Sequence, residues 1–244
     1  DCDTVFVDVA SDMVLMKNDV GQTFWPVYNV NTIGDFLLGE GYIIKMNTFN
    51  ILEISGIAAF PQWSPLALNQ DWSIIGYLRQ NSGAIGSMLA GITSNLYVVK
   101  NGSGLVYWPM YGINNIGNMN PGEGYQIKMN NSNILTYPPN SANISKSNIQ
   151  IPQPKQFKTT INTGSNMTLG IPKAAWETEP PIDSEIGIYS SEGLLAGSSV
   201  FTSENLAISI WGDDVFLPTK NFILNNLLCF SLKNAQQLFS TSHA

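Results

Sequence analysis

Apolar residues in this chain fall in short runs rich in Val, Ile, Tyr and Phe, cut by Gly, Pro and Asn. That spacing predicts half-buried strands rather than amphipathic helices. Met13-Val-Leu-Met16 and Leu96-Tyr-Val-Val99 read as strands ending in Lys-Asn turns. Thr23-Phe-Trp25 and Val106-Tyr-Trp108 read as return strands, stopped by Pro26 and Pro109, which cannot continue a central ladder. Asp19-Val-Gly21 and Gly102-Ser-Gly104 supply the loops between them. Tyr42–Met46 and Tyr125–Met129 are the next strands, and Ile51-Leu52 and Ile134-Leu135 the last. One short helix is expected near Ser82–Gly91, where small residues cluster.

From Pro138 to Lys155, prolines and small polar residues predict an extended linker. Beyond it, Phe157–Thr163, Met167–Ile171, Glu185–Tyr189, Leu194–Phe201, Leu206–Trp211 and Leu227–Leu232 read as strands. Short strands at regular intervals predict a β-sandwich. The expected fold class is all-β: tandem small β repeat modules followed by a β-sandwich. The expected organisation is a first repeat at 1–71, a second at 72–137, a linker at 138–155 and the sandwich at 156–240.

The repeat is explicit in the residues. Lys17 to Leu52 aligns with Lys100 to Leu135 without a gap, and 20 of the 36 positions are identical. Repeats at such a period signal an array architecture. They also weigh against an enzyme, because an active site is normally built once. The second copy is preceded by Trp72-Ser-Ile-Ile-Gly-Tyr77, whereas only sixteen residues precede Lys17. The first copy is therefore expected to lack its opening strand. Its exposed edge is expected at Met13, Val14, Leu15 and Met16, to be completed by strand addition from a neighbour.

Composition narrows the function classes. Charged residues make up 12% of the chain, against roughly 25% in ordinary soluble domains. Net charge is −7, and the eleven basic residues are scattered singly, which argues against nucleic acid. No apolar run reaches the ~18–20 residues of a membrane span, so no membrane insertion is expected. The chain opens on Asp1 without a basic-then-apolar leader, as a processed or excised segment would. Cys2 and Cys229 lie near opposite ends; their spacing suggests no metal site, and the sequence leaves a disulfide between them open.

Two stretches carry a family resemblance. Lys100–Met129, with its Tyr-Trp-Pro and Pro-Gly-Glu-Gly-Tyr-Gln-Ile-Lys-Met segments, resembles a repeat of secreted cell-surface proteins of Bacteroidota and of related marine sequences. Asn166–Pro172, Glu185–Tyr189, Gly193–Ser198 and Leu206–Asp214 resemble a second module that often follows it. The resemblance implies an extracellular, cell-surface protein exported by the type IX secretion route, and names no ligand. The chain departs from the second module's pattern at Asp183-Ser184 and Asn221-Phe222, which moves or removes acidic side chains near Asp213-Asp214.

The only histidine, His243, is next to last, which leaves no Ser-His-Asp or Cys-His catalysis. Of the acids, Glu40 and Glu123 sit between glycines at equivalent positions of the two copies and read as turn-capping groups or partners of Lys45 and Lys128. No catalytic residue is expected. Asp213 and Asp214, with Glu185, are the candidate calcium ligands, since calcium wants several oxygens; otherwise no cofactor is expected. Trp25, Trp108, Tyr42 and Tyr125 could form an aromatic platform for glycan rings, or could simply fill the cores of small β modules. The expected function is a non-catalytic structural or adhesive module of a larger surface or filament protein, whose partners are itself or neighbouring repeats. The alternatives are a carbohydrate-binding region of a secreted enzyme and a viral fibre component.

Overall fold

Strands form here because β-branched and aromatic residues alternate over short stretches, and each stretch ends in a residue that interrupts a ladder. The computed structural model describes residues 1–158, 162–212, 227–233 and 238–239, and the fold is all-β. The chain divides into two compact units: Asp1–Gly102 with Ile116–Asn148, and Ser103–Asn115 with the described residues from Ile149 onward.

The first unit opens with α1 (Cys2–Val5), followed by β1 (Met13–Lys17), β2 (Thr23–Trp25), β3 (Val30–Asn31) and β4 (Ile43–Met46). The four strands form one antiparallel sheet in the order β3-β2-β1-β4. Cys2, Phe6, Val9, Met13, Met16 and Phe24 make its core. The sheet corrects the expected edge at Met13–Met16. β1 is an inner strand: Met16 is opposite Phe24 of β2 on one side and Ile44 of β4 on the other. Met13 and Met16 are accordingly fully buried. Among the described residues, the strands at the two ends of this sheet are β3 and β4.

The chain continues through β5 (Leu66–Leu68), β6 (Asp71–Gly76), β7 (Gly83–Ala84), α2 (Ile85–Met88) and β8 (Leu96–Asn101). The hairpin β9 (Val106–Trp108) and β10 (Ile113–Asn114) belongs to the second unit. The first unit resumes with β11 (Asn118–Met119), β12 (Gly124–Met129) and β13 (Asn133–Leu135). β12 lies between β8 and β6, while β13 pairs with β5 and β11 with β7.

The offset of 83 residues that aligns the sequences also aligns the structure, and further toward the N-terminus than the identities reach. It lays α1 on α2, β1 on β8 and β4 on β12. The pairs Leu15↔Lys45 and Val98↔Lys128 hold the same register, with an irregularity beside Met46 and Met129. The Cys2 and Ile85 amides donate to the Gly34 and Gly117 carbonyls, both at 3.0 Å. The Asn47 and Asn130 amides donate to the Asp12 and Asn95 carbonyls at 2.7 and 2.8 Å. Among the described residues of the first copy, β5, β6 and β7 have no counterpart.

The stretch expected as a linker is divided between the units. Residues up to Asn148 are strapped to the first. Arg79, 2% exposed, donates to the carbonyls of Pro139 (3.3 Å) and Ala142 (2.8 Å), and Asn118 exchanges hydrogen bonds with the Ser147 backbone. A buried guanidinium needs acceptors, and the proline-rich backbone, short of ladder partners, supplies them.

In the second unit, β14 (Asn166–Ile171) pairs with β17 (Leu206–Trp211). A second sheet runs β16-β15-β18-β19, from β15 (Glu185–Ser190), β16 (Leu195–Val200), β18 (Leu227–Lys233) and β19 (Leu238–Phe239). Ile186, Ile188, Ala196, Phe201, Leu206, Ile208 and Ile210 share one core with Leu169, Ile171 and Trp176, as alternating strands of two facing sheets should. Phe157, expected to begin a strand, lies in a bend, and residues 159–161 of that expected strand lie outside the described residues.

Candidate functional site

Each copy carries the same clasp at its Gly-Glu-Gly-Tyr turn. The Tyr125 hydroxyl donates to the Glu123 carboxylate and accepts from the Asn120 amide at 3.0 Å, while Asn120 Nδ2 donates to Glu123 at 3.1 Å. In the first copy the Tyr42 hydroxyl donates to Glu40, which also accepts from Asn18 Nδ2 at 3.0 Å. Burial, reinforced by the glutamate bond, raises both tyrosines well above their ordinary pKa. The acids therefore fix their tyrosines, a structural task. Lys128 lies instead over the rings of Trp72 and Tyr97, at 5.8 and 5.4 Å from their centroids.

Next to the first clasp lies the joint between the two copies. β6 gives one edge to β12, with Ile75 opposite Tyr125. On its other edge the Gly41 amide donates to the Ile74 carbonyl and the Gly76 amide to the Gly39 carbonyl, both at 2.9 Å, bridging Glu40 and Ile75. Only glycine allows this approach: a Cβ on Gly41 would fall 2.7 Å from the Ile75 carbonyl oxygen. The turn of one copy is thus hydrogen-bonded to the opening strand of the next.

The aromatics expected as a platform are each engaged within their own unit. Trp25 meets Tyr28 edge to face (4.7 Å, 84°), and Trp108 meets Tyr111 the same way (4.8 Å, 87°). Perpendicular rings offer no common flat face to a sugar. Tyr125 is 1% exposed and so is not available as a platform, while Tyr42 is half-buried and packs against Phe36 at the first core. Trp108 covers Gly170, where a Cβ would come within 3.1 Å of its ring. The Asn205 side chain donates to the Tyr111 carbonyl at 2.8 Å, so the β9–β10 hairpin is docked on β14 and β17. In the first copy Val27 and Tyr28 are exposed.

Glu185 is not arranged as a calcium ligand. Its carboxylate accepts the successive amides of Lys155 (2.9 Å), Gln156 (2.7 Å) and Phe157 (3.0 Å). Burial raises its pKa, but those amides and the Lys155 charge outweigh this and hold it below the usual carboxylate range. Asp213 and Asp214 lie outside the described residues. Among the described residues no three His, Cys, Asp or Glu side chains cluster as a metal would require.

Sequence reasoning missed three positioning groups: Arg79, the Glu185 anchor, and the Gly39–Gly41 joint. The joint has a visible signal in the paired glycines that flank Glu40. No family model matches the chain, and no curated protein or solved structure is significantly similar to it.

Proposed function

We propose that the chain is a non-catalytic structural or adhesive part of a larger extracellular surface or filament protein, and that it works through repetition of its β module. The observation that carries this reading is the joint: the Gly41 amide donates to β6 and the Gly39 carbonyl accepts from it, which makes the connection between copies part of the sheet system. The glutamates repeated in both copies are engaged by tyrosines, which supports a non-catalytic role. The low charge, the repeat and the resemblance to surface proteins support an extracellular setting. Weak contacts repeated along one molecule add by effective concentration, so a module of this kind needs no deep pocket.

The test is assembly. Sedimentation velocity and negative-stain microscopy at micromolar concentrations should show reversible self-association or fibres. A chain that stays monomeric, and whose binding to a glycan array disappears with Trp25→Ala, would overturn the reading in favour of a carbohydrate-binding region.

A further inference from the structure

We propose that the outer edge of β4, with the adjoining Asn50–Leu52 stretch, is an acceptor for a β5–β6-type strand pair supplied by another repeat of the same kind. This rests on the reading of the chain as a repeat-built module and identifies the surface and the partner. In the second copy, the residues of β12 alternate: Tyr125, Ile127 and Met129 direct their backbone groups to β6, and Gln126 and Lys128 direct theirs to β8. β4 shares that register against β1, so the backbone groups of Ile44 and Met46 face outward, where the sheet ends among the described residues.

Burial records the same difference. Ile127, covered by β6, is 0% exposed, whereas its counterpart Ile44 is 43% exposed. Met129 is 1% exposed and Met46 half-buried; Leu135, on the strand paired with β5, is 1% exposed and its counterpart Leu52 half-buried. An uncovered edge with a partly bare core behind it is a template for strand addition.

The chemistry of the occupant follows from the occupant of the complete copy. It is an extended segment with aliphatic residues over the core, as Ile75 is (3% exposed), and it runs beside Ile44 and Met46, beyond the point where the chain's own β6 meets Gly41. Its aromatic, at the Trp72 position, comes over Lys45 as Trp72 comes over Lys128. A second shorter strand, in the place of Leu66–Leu68, pairs with Asn50–Leu52 as β5 pairs with β13.

A synthetic peptide spanning Ser64–Leu78 tests this against the full chain. Calorimetry should show one peptide per chain, and hydrogen exchange should show new protection at Ile44 and Met46. N-methylation of the peptide at Ser73 and Ile75, the residues that bond β12, should weaken binding by about tenfold or more. Ile44→Pro in the chain should have the same effect while circular dichroism stays unchanged, because that N–H faces away from β1. The proposal is overturned by no binding, by equal binding of the methylated peptide, or by protection changes at Ile127 that reveal exchange with the chain's own β6. It is also overturned by self-association through β4 that the peptide does not compete away. A chain that assembles into fibres but ignores the peptide would sink this inference and leave the structural reading standing.

Discussion

Glu185 and the tyrosines Tyr42 and Tyr125 set opposite ends of the pH range. Glu185 has a lowered pKa, so its stabilising contribution is present above the unfolded value of about 4.3 and is lost as pH falls through the folded one. The tyrosines have raised values, so theirs is present below about 10 and is lost as pH rises. Denaturant titrations should therefore show a stability plateau between those limits. Glu185→Gln should flatten the acid limb and cost about 2 kcal/mol at neutral pH, because three amides lose a charged acceptor. Tyr125→Phe should cost about 1–2 kcal/mol and relieve part of the alkaline limb.

The two aromatic hairpins have the same sequence pattern and different surroundings, so they should respond differently to the same substitution. Trp108→Ala removes the ring that covers Gly170 and should destabilise the second unit by about 2–3 kcal/mol in chemical unfolding, a value limited by the partial exposure of the ring. Trp25→Ala should cost about 1 kcal/mol or less. Strand positions were legible from the alternation: β14, β15, β16, β17 and β18 lie within a residue or so of the expected runs. α1 was not, because four residues are too few to show a helical period and the copies share few identities there. Its apolar positions are nonetheless kept, with Cys2, Phe6 and Val9 matching Ile85, Leu89 and Ile92. The sequence points to an open edge at β1, whereas β1 is an inner strand and β4 an end strand of its sheet. Sequence order suggests that an opening strand neighbours the strand that follows it, whereas β6 pairs with β12, which is distant along the chain.

At the level of the whole molecule, the units are not consecutive in sequence. The chain leaves the first unit at Gly102, returns at Ile116 and leaves again after Asn148. A cut in the expected linker therefore cannot give a clean first module. The fragment 1–148 keeps the β9–β10 hairpin without β14 and β17, which uncovers Trp108 and the buried Ile113. Its tryptophan emission should shift to the red relative to the full chain, and it should bind a hydrophobic dye; an unshifted spectrum with no dye binding would refute this. Repetition and strand content were readable from one sequence. The interleaving was not, because it depends on contacts such as Asn205 with Tyr111 that leave no periodic trace.

Cys2 offers a clock. Its thiol is free, fully buried in the first core, and raised in pKa chiefly by that burial, so it should react only when the first copy opens. In a Cys229→Ser background, the rate of reaction with an aromatic disulfide would report how often that copy breathes. A repeat closed by a borrowed strand should hide its sulfur for longer than one left open, so the lifetime of a single thiol measures whether the module is finished.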